Sequence, residues 1–153
     1  MKSLELKIPP PVVALTLAAL MWLVTVMFPA ADLSIPGSAI VSGVIALVGF
    51  AIALAGVLQF WKAGTTINPH IPHKTAHLVD TGIYRLSRNP MYLGLLLVLL
   101  ALGIYLGNIL TLLALPAFVL YINRFQILPE ERLMRKHFGP AFETYAAKVR
   151  RWV

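Results

Sequence analysis

Four long, continuous apolar runs set the strongest limit on how this chain can fold. The hydrocarbon core of a bilayer is about 30 Å thick, and a helix needs about 20 residues to cross it. Continuous runs indicate helices, because the strands of a membrane barrel alternate apolar and polar residues. We therefore predict an all-α integral membrane bundle of four transmembrane helices, with a cytoplasmic loop and C-terminal amphipathic helices. The four helices are expected at about residues 12–28, 39–61, 91–106 and 109–127.

The composition favours a membrane protein over a soluble one. Hydrophobic residues make up 59% of the chain and charged residues 12%, whereas soluble domains have about 45 to 50% and about 25%. The chain has no cysteine, which excludes disulfides, thiolate metal ligands and thiol nucleophiles. We expect residues 1–153 to form a single membrane domain.

The positive charges lie on one side of the predicted bundle. The loops on that side contain all 13 lysines and arginines, at residues 1–11, 62–89 and 124–153. The loops on the other side, 29–38 and 107–108, contain one charged residue, Asp32. An excess of Lys and Arg marks the cytoplasmic side, so we expect both termini and the active site to face the cytoplasm, at a prokaryotic inner membrane. The net charge of +7 then favours membrane lipids as partners and disfavours nucleic acid.

The second apolar run is rich in small residues, including Gly43, Gly49 and Gly56. Small residues allow the backbones of membrane helices to approach closely. We therefore expect this helix to be the most buried of the four.

A polar corner leads into the third apolar run. Within residues 82–94, arginines and tyrosines surround the dipeptide Asn89-Pro90, in which Asn is a good N-cap and Pro a good first helical residue. A two-residue turn at 107–108 then predicts a tight antiparallel hairpin. The hairpin should bring Arg124, at the end of the fourth run, close to this corner.

A second charged stretch follows the fourth run. Pro129 with the two glutamates after it is the expected first turn of a new helix, because carboxylates favour the positive end of the helix dipole. Gly139 should end that helix, and residues 141–149 predict a further short one. We interpret residues 150–152 as a basic and aromatic membrane anchor.

The charges of the two polar stretches should pair with each other. A charge without a partner is costly near a bilayer. We expect Arg85 or Arg88 to pair with Glu130 or Glu131. Such a pair would by itself be structural.

In their order along the chain, the residues of both stretches resemble a known family. The pattern begins Gly82-x-Tyr84-x-x-x-Arg88-Asn89-Pro90-x-Tyr92-x-Gly94 and continues with Arg124, Glu130-Glu131-x-Leu133, Phe138-Gly139, Phe142 and Tyr145. This order is similar to that of the isoprenylcysteine carboxyl methyltransferase and phospholipid methyltransferase superfamily of integral membrane enzymes. The resemblance covers residues 78–151, about half of the chain.

The resemblance implies a methyltransferase with S-adenosylmethionine as the methyl donor. The implied donor site lies in residues 63–94 and 124–151, and its binding residues would be Tyr84, Arg88, Asn89, Pro90, Tyr92, Gly94, Glu130 and Glu131. The acceptor would be lipid-like or prenylated and would enter from the bilayer. The isoprenylcysteine enzymes commonly have His at the position of Asn89, a departure that weakens the expectation of an isoprenylcysteine substrate.

The chemistry of the donor assigns a binding role to several of these residues. Arg88 is expected to pair with its carboxylate, and Glu130 or Glu131 to accept hydrogen bonds from its ribose or amine. Tyr92, with Tyr84 as a second candidate, would pack on adenine or near the sulfonium as a cation-π partner.

The catalytic candidates correspond to two kinds of acceptor. Arg124 would hold a carboxylate acceptor during O-methylation. An amine acceptor would need a base during N-methylation, for which Glu131 and His77 are the candidates. The sequence leaves both reactions open.

Three other interpretations are less favoured. A metal site at His70, His73 and His77 is disfavoured, because Pro69 and Pro72 prevent a continuous helix through them and no carboxylate is nearer than Asp80. We therefore predict no metal. A non-enzymatic bundle whose basic surface recruits lipids is the first alternative function. A sterol-type reductase is the second, although four spans leave little room for both a nicotinamide cofactor and a sterol.

Overall fold

Helices account for nearly all of the regular structure of this protein. The computed structural model describes residues 4–31, 36–63 and 78–153. Within these ranges there are six α-helices and no β-strand, so the predicted all-α fold is confirmed. The helices are α1 (Pro10–Met27), α2 (Ser38–Lys62), α3 (Pro90–Leu106), α4 (Ala114–Ile122), α5 (Leu128–Phe138) and α6 (Pro140–Lys148).

Among the described residues, three helical stretches are long and apolar enough to cross a bilayer, namely α1, α2 and the continuous stretch Ile109–Phe138. The apolar helix α3 has 17 residues, a length of about 25 Å at about 1.5 Å per residue. A bilayer can thin locally to match a helix of this length. The protein is therefore an integral membrane protein built from three or four spanning helices. The bounds of α1, α2 and α3 lie within two residues of the predicted ranges.

The fourth predicted helix does not end near residue 127. It begins with a 3-10 segment, Ile109–Leu113, passes through α4 and a π-helical segment, Asn123–Ile127, and continues without a break as α5. The sequence predicted that Pro129 begins a separate helix, and this prediction is wrong. Proline has no N–H to donate to the carbonyl four residues earlier, which is that of Phe125. The amide of Leu6 donates to this carbonyl instead, at 3.0 Å, so the helix continues through the proline.

The helix α3 is the central element of the bundle, with α2 on one side and α1 on another. A Cβ atom added to Gly49 would lie 2.8 Å from the carbonyl oxygen of Gly94, so the backbones of α2 and α3 are in direct contact. The expectation that α2 is the most buried helix is wrong. Its small residues form one strip against α3, whereas its large side chains, such as Phe50 at 63% exposure, face outward.

The turn between α3 and the fourth helix is a tight hairpin, as predicted. Gly107 has a φ of 65°, a left-handed conformation that favours glycine. The buried side chain of Asn108 accepts a hydrogen bond from the amide of Leu110 at 3.0 Å and donates to the carbonyl of Phe28 at 2.8 Å. The turn is thereby fixed to the end of α1.

The last helices fold back onto the segment that precedes α3. A short 3-10 segment, Gly82–Arg85, places Tyr84 in a cluster with Val79 and with Phe142 and Tyr145 of α6. The hydroxyl of Tyr145 donates to the carbonyl of Tyr84 at 2.8 Å. These contacts hold α6 against the polar corner at the start of α3.

Candidate functional site

The candidate site lies where the start of α3 meets the start of α5. Arg88 immediately precedes the Asn89-Pro90 corner, and its Nη2 lies 2.9 Å from Oε1 of Glu131. Both side chains are largely buried, with 12% and 7% of their surface exposed. The predicted pairing of an arginine from the first stretch with a glutamate from the second is confirmed.

Glu131 is surrounded by guanidinium groups. Arg151 approaches both of its oxygens, with Nε 2.8 Å from Oε1 and Nη2 2.9 Å from Oε2, and Nη1 of Arg135 lies 3.8 Å from Oε2. Together with Arg88, three arginines compensate one buried carboxylate, which would otherwise be costly to remove from water. Glu131 raises the pKa of Arg151 above its ordinary value, chiefly through their hydrogen bonds.

Glu130 has a different partner from Glu131. Its Oε1 accepts a hydrogen bond of 2.5 Å from the hydroxyl of Tyr92, in the first turn of α3. Both of these predicted binding residues therefore lie at the junction of α3 and α5. Tyr92 also packs against the main apolar core of the bundle.

Two buried polar atoms at this junction have no hydrogen-bond partner among the described residues. They are the hydroxyl of Tyr84, a residue that is 4% exposed, and Nε of Arg88. The Arg88 guanidinium is held at its other nitrogens by Glu131 and by the carbonyl of Ala146, 3.1 Å away. Burial, with smaller contributions from Tyr145 and the Glu130 carboxylate, raises the pKa of the Tyr84 hydroxyl. Buried polar groups without partners are rare in proteins and require an explanation.

Residues 150–152, which we call the strap, cross over the polar corner. The carbonyl of Arg151 accepts hydrogen bonds from Asn89 Nδ2 at 3.0 Å and from Ser87 Oγ at 3.2 Å. The amide of Arg88 donates to the carbonyl of Arg150 at 3.0 Å. The position of Asn89 predicted that its side chain would cap α3. The side chain binds the strap instead and does not cap the helix.

The other predicted site residues have less direct positions. Pro90 is buried at the start of α3, and Gly94 lies one turn later against Gly49 and Ala53 of α2. Gly94 therefore serves the contact between helices. His70, His73 and His77 lie outside the described residues.

Arg124, the catalytic candidate for a carboxylate acceptor, is paired with Glu5. Its Nη1 lies 2.9 Å from Oε1 of Glu5, and Arg132 bonds the other oxygen of the same carboxylate. The hydrogen bond from Arg124 is the largest of the contacts that hold the pKa of Glu5 below its usual range. The sequence interpretation missed Glu5, although it is the one acidic residue before the first apolar run.

The fold and the site together define an integral membrane protein with a buried polar centre at one end of its helices. A family model described as phospholipid methyltransferase matches residues 38–141. The chain belongs to this family, which confirms the resemblance seen in its motifs and indicates a membrane methyltransferase.

An uncharacterized protein of Haemophilus influenzae (strain ATCC 51907 / DSM 11121 / KW20 / Rd) is 49% identical over 63 residues, which cover 41% of this chain and all of that protein. No solved structure matches the chain.

Proposed function

We propose that this protein transfers a methyl group from S-adenosylmethionine to a lipid-like or prenylated acceptor at the cytoplasmic face of the membrane. The observation that carries this proposal is a pair of buried atoms without a hydrogen-bond partner among the described residues, the Tyr84 hydroxyl and Arg88 Nε, at the same junction as the Tyr92–Glu130 hydrogen bond. A site that holds buried polar atoms ready for a ligand is expected to leave them unpaired when the ligand is absent.

The residues at this junction fit the chemistry of the donor. S-adenosylmethionine carries an amine, a carboxylate, a ribose and a sulfonium cation. Glu130 can accept hydrogen bonds from the amine or the ribose, and Arg88 Nε can donate to the carboxylate. Tyr84 and Tyr92 offer aromatic faces for adenine or the sulfonium, a cation-π contact of about 0.5 to 2 kcal/mol.

The two glutamates have different roles in this proposal. Both oxygens of Glu131 are engaged by guanidinium nitrogens of Arg88 and Arg151. Glu130 has the tyrosine as its side-chain partner and is therefore the better candidate to face the donor. Glu131 is better suited to hold the site together, although it stays a candidate base for an amine acceptor.

Positioning supplies most of the catalysis in this proposal. The sulfonium supplies an activated methyl group when the donor is bound. Transfer is an in-line displacement, so the protein has to align the acceptor and exclude water. Arg124 remains the candidate to hold a carboxylate acceptor, because it and Arg132 share the single carboxylate of Glu5. Asn89, Pro90 and Gly94 shape the corner without facing the reacting atoms.

Calorimetric titration of the detergent-purified protein with S-adenosylmethionine tests the proposal. Tyr84→Phe removes the unpartnered hydroxyl and should weaken donor binding about twofold to tenfold, the effect of one hydrogen bond. The same change should leave the stability of the ligand-free protein unchanged or raise it, because an unpaired buried hydroxyl is lost. Tyr105→Phe is the matched control, since Tyr105 is 64% exposed. Absence of saturable binding by the wild-type protein would overturn the proposal.

The acceptor can be identified in a separate experiment. Protein incubated with methyl-labelled donor and a membrane lipid extract should transfer the label to one class of lipid. Base treatment then distinguishes the two reactions, because a methyl ester is hydrolysed and a methylated amine is not.

A further inference from the structure

The strap connects three parts of the chain that are distant in sequence. Its backbone carbonyls accept hydrogen bonds from the amide of Arg88, from Ser87 Oγ and from Asn89 Nδ2, at 3.0 to 3.2 Å. These bonds fix the strap against the residues that lead into α3.

The side chain of Arg151 extends from the strap to α5. Its Nε and Nη2 reach the two oxygens of Glu131 at 2.8 and 2.9 Å, the two-pronged geometry that makes arginine–carboxylate pairs both strong and directional. Since Arg88 binds the same carboxylate, α3 and α5 are held together through Glu131 on one side and the strap on the other.

A third contact keeps the strap in place. Nε1 of Trp152 donates to Oδ1 of Asn123 at 3.1 Å, and its ring packs against the main apolar core. Asn123 begins the π-helical segment that leads into α5. Arg151 and Trp152 thus turn inward, and the interpretation of these two residues as a membrane anchor is wrong. The side chain of Arg150 remains exposed.

We propose that Arg151 is a positioning residue for the methyl-donor site. It holds Glu131 in place and so leaves Arg88 Nε and the neighbouring Glu130 directed to the donor. This inference rests on the proposed function. Arg151 lies beyond residue 141, where the match to the family ends, and nothing in that match assigns it a role.

Donor affinity of two neighbouring arginine variants tests this inference. Arg151→Ala should weaken binding of S-adenosylmethionine about tenfold to a hundredfold, because small displacements of positioned groups carry penalties of this order. Arg150→Ala is the matched control: it removes the same charge from the same segment and should bind the donor within about twofold of the wild-type protein.

The conservative variant Arg151→Lys separates positioning from a general loss of stability. Lysine supplies the charge without the planar fork, so this variant should bind the donor with an affinity between those of the wild-type protein and Arg151→Ala. It also keeps the test decisive if the alanine variant fails to fold. The inference would be overturned if Arg151→Lys binds the donor with wild-type affinity and the two alanine variants have equal affinities. If Arg151→Ala cannot be purified, wild-type affinity in Arg151→Lys alone would overturn it.

Hydrogen exchange at the amide of Arg88 gives a readout that does not need the donor. This amide donates to the strap, so Arg151→Ala should accelerate its exchange about tenfold or more, while Arg150→Ala should not. Unchanged exchange in Arg151→Ala would overturn the inference. If the wild-type protein binds no donor, the proposed function fails, and with it the role of Arg151 in that function. Faster exchange in that case would assign the strap to structure alone.

Discussion

At the scale of single residues, two adjacent glutamates have opposite surroundings. Successive residues of an α-helix point about 100° apart, so Glu130 and Glu131 project in different directions from the start of α5. Glu131 meets the guanidinium groups of Arg88 and Arg151, whereas Glu130 meets the phenol of Tyr92. One carboxylate can therefore secure the structure while its neighbour serves a ligand.

This difference predicts different effects of substitution at the two positions. Glu131→Ala should lower the free energy of unfolding by about 3 to 5 kcal/mol, because it leaves the buried Arg88 without its ion-pair partner. Glu130→Gln should change stability much less and should weaken donor binding instead. Thermal unfolding in detergent, followed by titration of the folded protein with S-adenosylmethionine, measures both effects. Equal stability of the two variants would contradict the division of roles.

The sequence predicted only part of this network. The pairing of Arg88 with Glu131 could be expected because a buried charge needs a partner. The contribution of Arg151 could not, because a basic residue beside a tryptophan is equally typical of a membrane anchor. Its inward direction depends on carbonyl acceptors that only the folded backbone places beside Ser87 and Asn89.

At the scale of helices, the contact between α2 and α3 determines where the polar corner lies. Gly49 and Gly94 bring the two backbones together. The helix α3 begins one turn before Gly94, at Pro90, which lies next to Gly56 of α2. Because α3 starts at the corner, any displacement of this helix also displaces Arg88 and Tyr92.

A methyl group added at this contact should therefore be harmful. A Cβ atom at Gly94 would overlap the carbonyl oxygen of Gly49, so Gly94→Ala should cost about 1 to 3 kcal/mol of stability, as expected for overpacking. Gly43→Ala is the matched control on α2, since a Cβ atom there meets nothing within 4 Å. It should be neutral or stabilising by up to about 1 kcal/mol, because alanine favours helix. Equal thermal unfolding midpoints for the two variants would show that the contact is not close.

The helix positions were easier to predict than their continuity. Apolar length fixes where a membrane helix begins and ends, so α1, α2 and α3 followed from the sequence. The uninterrupted passage from α4 into α5 did not, because Pro129 is also an ordinary first residue of a helix. Continuity depends on Leu6, which satisfies the carbonyl of Phe125 from a distant part of the chain.

At the scale of the whole molecule, both ends of the described chain meet at one end of the bundle. Leu6 bonds the carbonyl of Phe125, and Trp152 bonds the side chain of Asn123, two residues earlier in the chain. The arrangement agrees with an even number of membrane crossings. It puts the candidate site, the strap and the segment before α1 on the same side, which the charge distribution predicts to be cytoplasmic.

Cysteine labelling tests this orientation directly, because the chain has no cysteine of its own. A membrane-impermeant maleimide should label Lys148→Cys only from the cytoplasmic side and Ala39→Cys only from the opposite side, since these exposed residues lie at the two ends of the bundle. Inverted and right-side-out vesicles provide the two sides. Labelling of both positions from one side, or with the sides exchanged, would contradict the predicted topology.

The strap also orders events during synthesis. Asn89 and Arg151 are 62 residues apart, so the ribosome completes α3, α4, α5 and α6 before the hydrogen-bond acceptors for the polar corner exist. The membrane helices can insert and pack during this interval while the corner is still exposed to water. If the proposed function is right, a nascent chain that has not reached residue 151 would be embedded in the bilayer but unable to hold a methyl donor firmly, and methylation would begin only after assembly is complete.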